Sequence, residues 1–192
     1  MNKSEKILVT GATGFVGSYL IRWLIKDKKI VHIVLRSTSN TWRIRDILKN
    51  KNLVLHYGDL RNAQSINKIV QKVKPEVVYH LVTYGAYPFQ KEPDNMFKTN
   101  ILGTLNLLNT CSKINLKMFV NTGSSSEYGT KSRSMSERDL IEPNSYYAVA
   151  KAGQTLLCQH MSREMKMPIT TLRLFSVYGP YEEPTRFIPT LI

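Results

Sequence analysis

The sequence predicts an α/β protein built on a doubly wound parallel sheet with strand order 3-2-1-4-5-6. Three observations carry that prediction. Strand-like apolar runs alternate regularly with helix-like stretches along the chain, which favours a sheet covered by helices on both faces. The apolar runs are nearly continuous, as in parallel strands buried on both sides. The first strand enters a turn with glycines at 11, 14 and 17, and a helical pattern follows at once. Right-handed crossovers and this opening turn then select the strand order and place ligands at the strand carboxyl ends.

The elements follow in order. Ile7 to Val9 is the first strand. Phe15, Val16, Tyr19, Leu20, Trp23 and Leu24 recur at helical spacing and predict the first helix. Ile30 to Leu35 is the second strand, and residues 41–50 form a short helix. Leu53 to Tyr57 is the third strand, ending at Gly58-Asp59-Leu60. Ile66, Ile69, Val70 and Val73 share one helix face, closed by Pro75. Val77 to Val82 is the fourth strand, and Thr83 to Pro93 a loop. Asp94 to Cys111 is one long helix, and Leu116 to Asn121 the fifth strand. Thr122 to Pro143 is a long polar loop of a length that usually serves function. Asn144 or Ser145 caps a helix running to about Met165. Ile169 to Phe175 is the sixth strand. The chain then passes through Gly179-Pro180-Tyr181-Glu182-Glu183-Pro184 into an apolar segment, Phe187 to Ile192, that has no continuation.

Composition narrows the class. The 192 residues suffice for one substantial core, and 42% are hydrophobic, as in globular proteins. No apolar run reaches the ~18 residues of a membrane span. Met1 to Lys6 leads directly into the first strand, without the pattern of a signal peptide. The two cysteines, Cys111 and Cys158, fall within helical patterns and read as buried thiols of a cytoplasmic protein. The formal charge of +13 admits nucleic-acid binding, attraction to anionic small molecules, or a lysine-biased proteome. The basic residues are scattered and form no stripe with interleaved aromatics, so nucleic acid is disfavoured as a partner.

Three motifs carry chemistry. A helix N-terminus after a glycine turn offers free N–H groups and partial positive charge to a phosphate. Gly11 would permit the turn, Gly14 the approach of a pyrophosphate, and Gly17 close packing of helix on strand. Without a ligand it is simply a glycine turn between packed elements. Tyr147 and Lys151 stand four apart on a helix and therefore share a face. An ammonium beside a phenol lowers the phenol's pKa and fits it for general acid–base work; an ordinary aromatic–lysine pair is the alternative. Ala150 stands four after Tyr146, which makes Tyr146 the weaker candidate acid. Ser124, Ser125 and Ser126 lie just past the fifth strand, where a hydroxyl can serve the same substrate oxygen. A flexible Ser/Gly loop would show the same residues.

In order and spacing these motifs resemble the extended short-chain dehydrogenase/reductases, in particular the NAD-dependent epimerase/dehydratase family acting on nucleotide sugars. The resemblance spans nearly the whole chain. It rests on Thr10 to Gly17, Gly58-Asp59-Leu60, His80-Leu81, Asn100 to Thr104, Tyr128-Gly129, Tyr147/Lys151 and Leu172 to Pro180. It implies a Rossmann-type NAD(P)-binding domain over residues 1–178. Residues 179–192 would be the start of a truncated substrate-binding region. Asp59 and Leu60 would hold the adenine, and Leu81, Val82 and Thr83 would line the ribose side. Thr13, Phe15, Val16, Asn100, Thr122 and Phe175 would complete the cofactor contacts. Lys151 would bind the nicotinamide ribose and tune Tyr147. Ser124 would be the catalytic hydroxyl, with Ser125 as fallback, and Ser176 would join them toward substrate. The implied reaction is hydride transfer at a sugar carbon, usually C4, in an NDP-hexose epimerase or 4-keto reductase. Helices 94–112 and 145–165 would form a homodimer interface. No metal is implied.

Three departures refine the expectation. The second strand ends Leu35-Arg36-Ser37, where an acidic residue would bind a ribose 2′-hydroxyl. Arg36 instead suits a 2′-phosphate, so NADP(H) is favoured over NAD(H). The dehydratase pattern places Asp and Glu directly after its hydroxyl; Ser125 and Ser126 stand there, with Glu127 one position off, so dehydration is disfavoured. Ser176 replaces the family's Asn. A non-catalytic dinucleotide- or RNA-binding module that kept the fold is the competing expectation from another class. An acyl or steroid reductase of the same superfamily is a third.

Overall fold

The computed structural model describes residues 5–191. Met1–Ser4, read above as entering the first strand without a leader, and Ile192, the last residue of the final apolar segment, lie outside the described residues. The strands are β1 (Ile7–Thr10), β2 (Val31–Leu35), β3 (Leu53–Tyr57), β4 (Val77–His80), β5 (Met118–Ser124) and β6 (Ile169–Leu174). They form one sheet ordered β3-β2-β1-β4-β5-β6. Every pairing is parallel, with β1 central and registered Ile7 to Val31 on one side and to Val77 on the other. This is the predicted order.

Strand side chains alternate between faces, so β1 feeds two cores. Ile7 and Val9 pack with Ile21 and Leu24 of α1 (Phe15–Lys26) and with Val31, Ile33 and Leu35 of β2. Leu8 packs on the opposite face with Ile66 and Val70 of α2 (Ala63–Val73), Leu107 and Leu108 of α4 (Gly103–Cys111), and Cys158 and Met161 of α5 (Tyr146–Glu164). Helix starts follow local chemistry. Asn62 caps α2 by accepting from the Ser65 N–H, and Ser145 caps α5 by accepting from the Ala148 N–H. Lys74 ends α2 in the left-handed conformation, ahead of Pro75.

Four elements differ from expectation. The stretch 41–50 is a 3-10 turn, Trp42–Ile47, in which only Arg43 and Ile44 are buried. The fourth strand stops at His80, two residues early, because Leu81 and Val82 bend against the turn at Gly11. The long helix is divided into α3 (Pro93–Met96), a π-helical stretch Phe97–Leu102, and α4. The Gly103 N–H reaches back five residues to the Lys98 carbonyl. The Thr104 hydroxyl occupies the Asn100 carbonyl at 2.6 Å, which favours the wider turn. Finally, β5 continues to Ser124 and a 3-10 turn, Ser125–Tyr128, follows, so the polar loop begins later than expected. The final apolar stretch includes the short helix α6 (Phe187–Leu191).

The segment after β6 crosses back over the first helix. Tyr19 Oη donates to the Pro180 carbonyl at 2.8 Å, and Arg43 Nε donates to the Tyr181 carbonyl at 2.7 Å. The Arg22 guanidinium lies over the Tyr181 ring, and that of Arg43 over Trp42. The C-terminal segment, read above as the start of a separate region, is therefore strapped to the N-terminal half. No helix among the described residues is long and apolar enough to cross a membrane.

Candidate active site

A cleft of about 560 Å³ opens along the carboxyl ends of the strands. One wall is the glycine turn. Gly11 has φ +76°, and a Cβ there would lie 2.6 Å from the Leu81 carbonyl carbon, so no other residue fits without moving β4. A Cβ on Gly17 would run into the Gly11 carbonyl oxygen. The turn closes with Gly14 N–H donating to Gly11 O at 3.0 Å. No side chain caps the α1 N-terminus at Gly14. The cradle is thus bare backbone ahead of a helix, as pyrophosphate binding requires. Thr13, Phe15 and Val16 line the cleft with these glycines.

The β2 and β3 ends contribute Arg36, Asp59 and Leu60. Arg36 is exposed and faces a smaller annex of about 430 Å³, shared with Ser37, Thr38, Tyr57 and Arg61. Asp59 accepts from Arg61, with Nη2 to Oδ2 at 2.6 Å and the backbone N–H to Oδ1 at 2.9 Å. That pairing holds the Asp59 carboxyl below its usual pKa. Leu81, Val82 and Thr83 line the cleft where β4 ends.

Asn100, expected among the cofactor contacts, is not in the cleft wall. It is fully buried, accepts from the Tyr84 N–H at 2.9 Å and donates to the Tyr84 carbonyl at 2.8 Å. Its amide matches a backbone donor and acceptor at once, and so fixes the loop after β4. Its neighbour Thr99 reaches the cleft instead.

Ser124, Ser125 and Ser126 line the far wall together with Tyr147, Lys151, Thr122, Phe175 and Ser176. The Ser124 hydroxyl accepts from the Ser126 N–H at 3.2 Å while Glu127 Oε1 accepts from the Ser124 N–H at 2.7 Å, a reciprocal capping pair. The same Glu127 oxygen accepts from Thr155 Oγ1 at 3.0 Å, and Oε2 accepts from Arg173 Nε at 2.7 Å. Arg173 Nη1 also donates to the Tyr128 hydroxyl at 3.0 Å. Glu127 is fully buried, so the carboxylate one position off the dehydratase pattern is committed to holding the serine turn.

Tyr147 is half-buried and Lys151 is 1% exposed. Lys151 Nζ donates to the Thr122 carbonyl at 2.5 Å and to Gln154 Oε1 at 2.6 Å. An ammonium has three donors, which leaves one for the cleft. Burial lowers the Lys151 pKa to about 8, against the attraction of Glu127.

Every other residue expected to contact cofactor or substrate lines the cleft. Sequence reasoning missed the supports behind it. Gln154 stands three after Lys151, a spacing that places both on one helix face, and that was the available signal. Arg173 and Asn121 carry no sequence signal linking them to the site; the sheet register brings them there. Among the described residues, no group of three or more His, Cys, Asp or Glu is placed to hold a metal.

The fold and this cleft define an α/β protein that presents a bare glycine turn and a Tyr-x-x-x-Lys helix to one opening. The chain belongs to the NAD-dependent epimerase/dehydratase family, whose model matches residues 7–192. It is similar to the dTDP-D-glucose 4,6-dehydratase of Dictyostelium discoideum, with 31% identity over 211 residues covering 98% of this chain and 47% of the relative. Among solved structures it is similar to UDP-glucuronic acid 4-epimerase from Bacillus cereus in complex with NAD. That match has a TM-score of 0.86 at 33% identity and covers 96% of this chain and 60% of the other. It is also similar to the dTDP-glucose 4,6-dehydratase DesIV of Streptomyces venezuelae, a double mutant with NAD bound. The TM-score is again 0.86, at 25% identity, with 96% of this chain and 60% of the other covered. The chain thus spans about half to three-fifths of the length of these relatives.

Proposed function

We propose that the chain is the dinucleotide-binding portion of a nucleotide-sugar oxidoreductase, an NDP-hexose 4-epimerase or 4-keto reductase. One observation carries this: Ser124, Tyr147 and Lys151 share a single cleft with the glycine turn. The N-terminus of α1 would hold the pyrophosphate, and the free donor of Lys151 a ribose hydroxyl. The cofactor supplies hydride exchange with a sugar carbon. Tyr147 would pass the accompanying proton to or from the sugar oxygen, with Ser124 hydrogen-bonding the same oxygen. Epimerisation or reduction is favoured over dehydration because Glu127 is tied to Arg173 and Ser125 and Ser126 carry no acid.

The solved neighbours that carry NAD give no support to the expected preference for NADP(H), and NAD(H) is the cofactor proposed. Arg36 beside its annex is the feature that speaks for a 2′-phosphate, and separate titrations with NADH and NADPH decide between them. Binding of neither would end the cofactor proposal. Tyr147→Phe in the protein with the relatives' full length should keep cofactor and lose about 10²–10⁴-fold in turnover. Unchanged turnover would sink the assignment.

Leu102, Val149 and Leu156 expose apolar side chains on the π-helical stretch and α5. They support a homodimer through residues 94–112 and 145–165, which Leu156→Glu should dissociate in sedimentation. The buried free thiols Cys111 and Cys158 support a reducing, cytoplasmic location.

A further inference from the structure

We propose that Gln154 is a positioning residue that keeps the Lys151 ammonium charged and aimed at the cleft, and so sets the affinity for cofactor. The proposal rests on the dinucleotide function advanced above. Four residues from three elements, α5, β5 and β6, form one line of hydrogen bonds through the interior. Lys151 Nζ donates to Gln154 Oε1 at 2.6 Å, Gln154 Nε2 to Asn121 Oδ1 at 2.7 Å, and Asn121 Nδ2 to Thr171 Oγ1 at 3.2 Å. Lys151 is 1% exposed, and Gln154 and Asn121 are fully buried.

The lysine orients the line. An ammonium only donates, so the Gln154 oxygen must face it and the Gln154 nitrogen must face away. That nitrogen needs an acceptor, which turns the Asn121 oxygen toward it. The line ends on the Thr171 hydroxyl of the edge strand. With its own amide fixed at both ends, Gln154 cannot swing with the lysine.

The other charged or titratable groups around Lys151 do not replace this acceptor. Glu127, on the turn after β5, is committed to Arg173 of β6 at 2.7 Å. His80 on β4 is held neutral by burial, its pKa lowered to about 3. Cys158 on α5 is a thiol pushed up to about 12. Tyr147, also on α5, lies on the cleft wall. β5 contributes only the Thr122 carbonyl. Among the described residues Gln154 is thus the one uncharged side chain that accepts from Lys151, whose ammonium burial already weakens. A neutral amide holds the proton without locking it, as a carboxylate would.

NADH affinity, read by fluorescence titration between about pH 6.5 and 10, tests this. Wild-type affinity should fall as pH rises through about 8. Gln154→Met, which keeps bulk and removes the acceptor, should move that midpoint down by about one pH unit and weaken binding about fivefold at pH 8. Gln154→Glu should move the midpoint up. Thermal unfolding in parallel monitors the fold, and where Gln154→Met does not fold, Gln154→Glu alone decides. Unmoved midpoints in folded variants, or a flat wild-type profile with NADH bound, overturn the proposal. A wild-type protein that binds neither NADH nor NADPH at any pH overturns the dinucleotide function instead.

Discussion

The fully buried Glu127 and the partly buried Arg173 form an ion pair, Nε to Oε2 at 2.7 Å, that joins the serine turn after β5 to the edge strand β6. The same carboxylate holds the Ser124 N–H through its other oxygen. Removing Arg173 leaves the Glu127 carboxylate buried without its counterpart. Arg173→Met should therefore cost about 3–5 kcal/mol in urea unfolding, more than loss of a surface ion pair such as Lys98–Asp94. A loss below about 1 kcal/mol would mean the pair does not hold the turn.

The glycine turn gives a second prediction. Gly17→Ala drives a methyl into the Gly11 carbonyl oxygen. The backbone must shift where the pyrophosphate would sit, and dinucleotide affinity should fall at least about tenfold by calorimetry. Retained affinity would show that the helix start plays no part in binding.

Lys151 gives a prediction with a definite sign. Its ordinary pKa is 10.5 and burial lowers it to about 8 in the folded protein. Between these values the unfolded chain binds more protons than the native one, so stability rises with pH across that window. Against Lys151→Met as reference, the wild type should gain unfolding free energy from pH 8 to 10.5, and a constant difference would contradict it.

His80 works at the acid end. Its ring nitrogens bond Thr10 Oγ1 at 2.7 Å and Thr104 Oγ1 at 2.8 Å, and it is fully buried. Its pKa is lowered from 6.5 to about 3, so its contribution is present above 6.5 and lost as pH falls toward 3. NMR signals of the His80 ring should stay constant from about pH 8 to 5. Titration near 6.5 would show a ring open to solvent.

Thiol reactivity is a simple check. Burial raises both Cys111 and Cys158 to about 12, which suppresses the thiolate. A disulfide reagent should modify neither in buffer and both in denaturant.

The strand order and the glycine turn were legible because both rest on local pattern: continuous apolar strands such as β1, buried at every position, and glycines at fixed offsets. Tyr147 and Lys151 were legible because four residues make about one helical turn. Asn100 was misplaced because a conspicuous position says nothing of direction, and its amide turns to the Tyr84 backbone. The division of the helix at Phe97–Leu102 was hidden because the apolar spacing runs through it unbroken. Arg173 and Asn121 were illegible because their partners lie 46 and 33 residues away in sequence, and only the packing of α5 and the serine turn against the sheet brings them together.

The contact of Gly11 with the backbone of Leu81 and Val82 has a consequence for assembly during synthesis. The glycine motif leaves the ribosome complete, yet the strand against which it closes comes some seventy residues later. A nascent chain stopped before Val77 carries every motif glycine but lacks the strand beside which the turn closes. Capture of a dinucleotide by growing chains should therefore begin only when β4 has docked beside β1.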